Sequence, residues 1–444
     1  MSAGSPDVGA AIPPTLTSPR AWPFWGAVVG TGVLAGLTAT ALMELLYFVQ
    51  HRVWPGPHIL DAAQVQLPSH HLIVLVAAGV LTAVGQLLLR HLAAGNSIDI
   101  TEAITSFAGR MPVVRTLGSA LLSILVVGMG ASLGREGAPK QAGAVIANAF
   151  ADRTRLSDEQ RRLLVACGAG AGLAAAYGVP LGGALFAVEV LRGVLALRLI
   201  LPALLASAVA AGIAWIVLPN EPTYVLPSYS LSVSVVCWSL LAGPLIGLFS
   251  VGFIRLVAFG DRHKPVGGLR LALPIASLGL LGALSIVFPQ LLGNGKDIAE
   301  LAFTGQVAPW LLLGLCLMKP LATVLCLGSG VPGGLFTPSL ATGALLGGAL
   351  GALWSVWWPG APSGLCAIVG AGALVAATTH GPLSSIVLML ELTGRDRSFI
   401  LPMVLAVVGA TVTARTLDVR SIYDARFTDR EMESVQRARR PAAA

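Results

Sequence analysis

The sequence predicts an all-α, polytopic membrane protein built as two related halves whose helices are interrupted at matching points. Three observations carry this prediction. Of the 444 residues, 55% are hydrophobic and 11% charged, against roughly 25% charged in a soluble domain. Long stretches hold no formal charge: Pro320–Leu390 runs for 71 positions without Asp, Glu, Lys or Arg, and Leu163–Val188, Leu199–Asn220 and Thr223–Ile254 are likewise uncharged. A helix crosses a bilayer with about 20 apolar residues. The chain also repeats itself. Tyr177-Gly178-Val179-Pro180-Leu181, running on to Glu189, lines up with Thr379-His380-Gly381-Pro382-Leu383, running on to Glu391, at an offset of 202. Gly168, Gly170 and Ala175 map onto Gly370, Gly372 and Ala377 at that offset, and Gly95–Glu102 is similar to Gly293–Glu300 at 198.

In chain order, residues 1–22 are polar and Pro-rich and read as a disordered tail, with no basic segment leading into a short apolar one. A transmembrane domain is expected over 23–428, as repeats of about 23–218 and 231–428, and residues 429–444 read as a short solvated tail. Helices are expected at 24–51, 70–92, 116–132, 138–151, 160–176, 180–192, 198–218, 231–259, 269–288, 308–327, 338–357, 364–379, 382–392 and 398–417, with shorter pieces near 100–108 and 296–303. Several are too short to cross alone, and Gly and Pro cut them at 137–139, 178–180, 330–338 and 381–382. Non-helical backbone at membrane depth survives only where protein or a watery cavity satisfies it, so these breaks mark a pathway. Broken helices in matching positions of two halves are the pattern of transporters with a substrate site at the repeat interface.

The net charge of +7 collects in short loops such as Arg153–Arg162 and in the C-terminal tail. That is the positive-inside pattern and not a nucleic-acid surface. Cys167, Cys237, Cys316, Cys326 and Cys366 lie in apolar runs without a C-x-x-C pair and read as small core hydrophobes. No phosphate-cradling or dinucleotide-binding glycine motif is present in a suitable context, so no cofactor, nucleotide or metal is expected.

Glu136 stands out. It is a lone acid in V-G-M-G-A-S-L-G-R-E-G-A-P-K-Q-A-G-A (127–144), following the uncharged Thr116–Gly134. A carboxylate in the membrane is costly and is by default a functional hypothesis. Gly134 and Gly137 free the backbone, and Ala138-Pro139 opens a helix whose N–H groups and dipole favour an anion. A protonatable side chain able to occupy or vacate an anion site is a gate.

With G-R-E-G-A-P at Gly134–Pro139, G-S-G-V-P-G-G-L-F-T-P at Gly328–Pro338 and R-S-I-Y at Arg420–Tyr423 in this order, the chain resembles the CLC family of chloride channels and proton-coupled anion transporters, over about residues 24–428. The resemblance implies that Glu136 is the external gating glutamate. It implies that residues 135–138 (Arg135, Glu136, Gly137, Ala138) and 335–337 (Leu335, Phe336, Thr337) form the two helix-start loops that hold the anion, and that the Tyr423 hydroxyl contacts it. A desolvated chloride suits such N–H and O–H donors because it must also leave them. Without the motif, Tyr423 reads as an interfacial aromatic. The resemblance further implies a homodimer with one pore per subunit, with dimer-facing elements near 180–218 and 382–416.

Two departures qualify it. Where the family has G-S-G-I-P, with the serine hydroxyl on the anion, this chain has Gly95-Asn96-Ser97-Ile98-Asp99. Asn96 thus takes the serine's place and Ser97 follows, either side chain is a candidate anion-binding donor, and the anion is open between chloride and fluoride. Where family antiporters carry an inner proton-accepting acid, this chain has Val190, with Glu189 matching the acid before it. Proton coupling is therefore expected to be weak or absent, the alternatives being a fluoride/proton antiporter or a chloride/proton antiporter using water or Glu189. Among the other polar residues, Glu189 and Glu391 are expected to pair structurally or sit at the interface, and Lys319 to snorkel or pair at a membrane boundary. His380 is expected to be a satisfied core or cavity histidine. Ser329 with His380 makes a poor intramembrane protease, and no enzymatic activity is expected. The expected partners are chloride or a similar small anion, membrane lipid and a second copy of the chain, without nucleic acid. The expected location is the inner membrane of a bacterial-type cell, with multiple spans.

Overall fold

The computed structural model describes residues 21–93, 98–394, 399–428, 431–433 and 435; the expectations for residues 1–20, for Asn96 and Ser97 and for the rest of 429–444 lie outside them. In the first half the described chain forms α1 (Trp22–Val53), α2 (Ile59–Val65), α3 (Pro68–Leu92), α4 (Ile100–Ser106), α5 (Val113–Gly128), α6 (Gly137–Arg153), α7 (Asp158–Tyr177), α8 (Pro180–Leu185) and α9 (Leu197–Ala214). In the second half it forms α10 (Val233–Arg262), α11 (Leu269–Val287), α12 (Lys296–Thr304), α13 (Pro309–Gly328), α14 (Phe336–Ser355), α15 (Ser363–Thr379), α16 (Pro382–Thr393) and α17 (Ile400–Leu417). Eight helices of the first half have a counterpart in the same order in the second, and α2 is the addition.

The two halves pack alike. Helix α6 lies on α7 as α14 lies on α15, and α1 packs on α9 as α10 packs on α17. Small residues permit this. A Cβ on Gly32 or Gly36 would stand under 3 Å from the Ala206 and Ala210 carbonyls, and one on Gly243 or Gly247 under 3 Å from those of Ala406 and Ala410. Without a hydrophobic drive between helices in lipid, such close backbone approach supplies the packing energy. Across the halves, α3 meets α11 and α8 meets α16.

Among the described residues eight helices are long and apolar enough to cross a bilayer. Their surroundings differ: 78% of the most apolar stretch of α14 is buried in protein, against 33% for α3 and for α11. Helix α14 is thus central, while α3 and α11 expose aliphatic side chains such as Ile73, Leu88, Leu280 and Val287 on the lipid-facing perimeter.

At the junction of α8 and α16 each half caps the other. The Glu391 carboxylate accepts from the Leu181 and Gly182 N–H groups at 3.0 and 2.6 Å. Glu189 accepts from the Leu383 and Ser384 N–H groups at 3.1 and 2.6 Å. Pro180 and Pro382 open these helices, leaving the next N–H groups without intrahelical partners. The expected structural pairing of Glu189 and Glu391 is thus specified: each pairs with a helix start of the opposite half. Glu391→Gln is expected to cost about 1–3 kcal/mol through two lost charge-assisted bonds. A fall in melting temperature with unchanged anion preference is the result to look for, and unaltered stability would remove the capping role.

Several expectations need correction. Helix α2 was not foreseen, because seven residues give too short an apolar period. The helix expected over 180–192 is α-helical to Leu185, then widens into a π turn over Phe186–Arg192 that ends at Gly193 with φ 68°. Lys319 does not snorkel: it is 1% exposed, and its Nζ donates to the Leu291 and Gly293 carbonyls at 3.0 and 2.9 Å. Cys237 is only half-buried, unlike the other four cysteines. Helix α1 begins at Trp22, inside the expected tail, and beyond 428 the chain is not wholly solvated, since Met432 and Val435 pack on Phe427.

Candidate functional site

The breaks before α6 and α14 meet. Gly134 and Gly334 exchange both backbone hydrogen bonds, N to O at 2.7 and 2.8 Å, in an isolated antiparallel bridge. This satisfies non-helical backbone at membrane depth and ties one half to the other. Two glycines are needed because a Cβ on either would collide with the Glu136 carboxylate. Gly137 likewise abuts Gly334, and Ala138 behind it is fully buried.

Glu136 occupies the N-cap of α6 but does not cap it. The sequence suggested that its anion-seeking environment was its own helix start; the structure places it on the opposite one. Oε1 accepts from the Phe336 N–H, the first residue of α14, at 2.7 Å. Oε2 accepts from the Thr337 hydroxyl at 2.9 Å, with the Tyr177 hydroxyl at 3.4 Å. Since the Thr337 proton goes to Glu136, the 2.6 Å contact between Tyr177 and Thr337 is made by Tyr177 donating. The carboxylate is fully buried, with no cation in ion-pair contact among the described residues, and is held by N–H and O–H donors at a helix start. That is a setting for a monovalent anion, occupied here by a side chain.

The Arg135 side chain does not join these donors. Its guanidinium turns away, donating to the Tyr47 hydroxyl at 3.0 Å and lying 4.8 Å from the Tyr177 ring centroid. It lines a recess with Tyr47, Asn294, Lys296 and Asp297. A larger cavity of about 260 Å³ approaches from the other side, lined by Gly137, Lys140, Gly334, Leu335, Tyr423 and Gln86. Helix α3 shows that the two open on opposite faces. His70 near its start touches the Val53 carbonyl beside the first recess, and Gln86, about 24 Å further along at 1.5 Å per residue, lines the second. Glu136 stands between them.

The remaining expected residues distribute as follows. Leu335 is the N-cap of α14 and lines the larger cavity. Tyr423 is not at a lipid interface: its ring stacks edge-on against Phe186, with centroids 5.8 Å apart, and its segment is pinned by Ile422 N–H donating to the Thr378 carbonyl at 2.7 Å. Glu189 is committed to capping α16, and Val190 beside it is buried. His380 ends α15 in the left-handed region, with φ 57°, its carbonyl accepting from Arg415. Asn96 and Ser97 lie outside the described residues, but Asp99 just after them caps α4 and pairs with Arg426 at 3.0 Å.

Two residues escaped the sequence reading. Tyr177 was noticed only as part of the repeat, although a tyrosine at the end of an uncharged helix was a signal. Lys140 was passed over within G-R-E-G-A-P-K, although four residues after Glu136 it lies on the same helical face.

Helical halves meeting at paired breaks, with a buried carboxylate on a helix start and cavities on both faces, define an integral multi-pass membrane protein built for anion passage. The family profile described as voltage gated chloride channel matches residues 73–415, and the chain belongs to this CLC family. It is 36% identical over 337 residues, 73% of this chain and 78% of the other, to the voltage-gated ClC-type chloride channel ClcB of Shigella flexneri. It is 33% identical over 421 residues, 90% and 88% of the two chains, to the H(+)/Cl(−) exchange transporter ClcA of Vibrio vulnificus. The fold matches that of a slow cyanobacterial Cl−/H+ antiporter with a TM-score of 0.78 at 23% identity, covering 94% of this chain and 98% of that one. It matches a CLC-type fluoride/proton antiporter with a TM-score of 0.70 at 23% identity, over 94% and 99%.

Proposed function

We propose that this chain passes chloride across the inner membrane of a bacterial-type cell through a pathway gated by Glu136, without strong proton coupling and without enzymatic activity. The observation that carries the proposal is the carboxylate seated on the Phe336 N–H and the Thr337 hydroxyl. When Glu136 is protonated its hold on these donors weakens, and an entering anion takes them. Transport then needs only that the carboxyl and the anion exchange places.

Weak coupling is supported by the inner side of the pathway. Moving a proton on from Glu136 calls for a chain of protonatable groups or water. Val190 offers none, and the Glu189 carboxylate is spent on two N–H groups of α16. The competing reading is coupled exchange, favoured by the relative named an H(+)/Cl(−) exchange transporter. A homodimer is proposed with it, supported by apolar side chains exposed on the expected faces, including Leu181, Leu197, Leu383 and Val408.

The test is purified protein in liposomes, with chloride, fluoride and proton fluxes read together. A steep chloride gradient is expected to drive chloride movement with little proton uptake, and Glu189→Gln to leave that uptake unchanged. Uphill proton pumping at a fixed ratio would replace this reading with coupled exchange. Fluoride passing far better than chloride would move the proposal to fluoride.

A further inference from the structure

We propose that the Lys140 ammonium is a charged ligand for the transported anion, clamping a small monovalent anion together with the Tyr423 hydroxyl in the larger of the two cavities that flank Glu136. The inference rests on the anion-transport reading above and names a ligand that the gate alone does not supply.

Lys140 lies one turn into α6 and is 5% exposed. Its Nζ donates one hydrogen bond, to Tyr423 Oη at 3.2 Å, and sits 4.9 and 4.8 Å from the ring centroids of Phe186 and Tyr423. Among the described residues no carboxylate comes within ion-pair distance, and two of its three N–H bonds have no acceptor. The acids around it are committed elsewhere. Glu136 is held by Phe336 and Thr337, Asp99 by Arg426 and the Thr101 N–H, and Asp261 by Lys264. Ring faces compensate a desolvated ammonium only in part. An enclosed charge at membrane depth calls for a counter-ion, and the space beside it is the cavity shared with Gly334, Leu335 and Tyr423.

The hydrogen-bond polarity completes the site. Because Tyr423 Oη accepts from Lys140, its own proton is free to donate. The ammonium and the hydroxyl together offer a full positive charge and several N–H and O–H bonds to one small anion. A chloride there would neutralise Lys140 before reaching the donors that Glu136 guards.

Potassium chloride titrated calorimetrically into chloride-depleted, detergent-solubilised full-length protein tests this. Lys140→Met keeps the side-chain length over both rings but removes the charge, and a ten- to hundredfold loss of chloride affinity is expected. Lys140→Arg keeps the charge but changes its geometry over the two rings, and a smaller loss than that of Lys140→Met is expected. If Lys140 merely held Tyr423 in place, Lys140→Met would add nothing to Tyr423→Phe; a further loss of about tenfold is expected instead. Should the methionine variant not fold, Lys140→Gln, which keeps a donor to Tyr423 without charge, carries the same expectation. Folded, uncharged variants that bind chloride within twofold of the parent overturn the inference. A parent that binds chloride normally but carries none in liposomes refutes the transport reading while the clamp stands, whereas a parent that binds no chloride refutes both.

Discussion

Glu136→Gln is expected to abolish most of the pH dependence of chloride flux. In the parent, the ionised carboxylate competes with chloride for the Phe336 N–H and the Thr337 hydroxyl. Acid protonates it, weakens both bonds and opens the route, so parent flux rises as pH falls. The glutamine amide is neutral at every pH. A hydrogen bond to a charged group contributes about 1.5–3 kcal/mol, so losing the charge raises the vacated fraction by one to two decades. The variant should therefore conduct near neutral pH as the parent does only in acid. Glu136→Ala removes the competitor altogether and should be insensitive to pH. Liposome chloride efflux between about pH 4.5 and 7.5 reads both variants. Unchanged flux and pH response in the pair would end the gating assignment.

Gly334→Ala should resemble Glu136→Ala without replacing the carboxylate. A Cβ at 334 would overlap Glu136 Oε1 and stand 3.0 Å from the Gly137 nitrogen. The carboxylate end is flexible and the bridged backbone is not, so the side chain is the part that yields. Once displaced, it loses the Phe336 and Thr337 donors and leaves them to an anion. Flux at neutral pH should rise by about tenfold or more, the equivalent of one lost charge-assisted bond. The double variant Glu136→Ala with Gly334→Ala supplies the control, because without the carboxylate the added methyl has nothing to expel. Flux in the double variant should match Glu136→Ala alone. A Gly334→Ala protein that folds normally and keeps the parent's pH profile would show that the carboxylate does not need this space.

Much of the fold was legible. Gly and Pro punctuation located the breaks before α6, α8, α14 and α16, since backbone freedom and a missing N–H are properties of single residues. The offset repeat identified the pairing of α8 with α16 and of Glu189 with Glu391 as equivalent positions, but not that they exchange caps. The π turn at Phe186–Arg192 was not legible, because an apolar run reads the same at 3.6 residues per turn as at a wider pitch. Lys319 was misjudged for a related reason. A lysine in an apolar helix ordinarily reaches for the interface, and only the fold shows that the Leu291 and Gly293 carbonyls lie within its reach.

The site divides along the same line. Glu136 was visible because one carboxylate in an uncharged, glycine-flanked run is conspicuous on solvation cost alone. Its partners were not, since Phe336 and Thr337 lie 200 and 201 positions away and Tyr423 lies 283 positions from Lys140. The sequence by itself determined the membrane class, the two halves, the breaks and the acid, each a matter of local composition and conformational preference. Only the tertiary structure decided that Glu136 rests on the other half's helix start, that Glu189 is spent on capping, and that Lys140 faces an open cavity. A buried polar group takes whichever partner the folded backbone brings within about 3 Å, and when two halves of one chain meet, that partner is set by their packing and not by its place in the sequence.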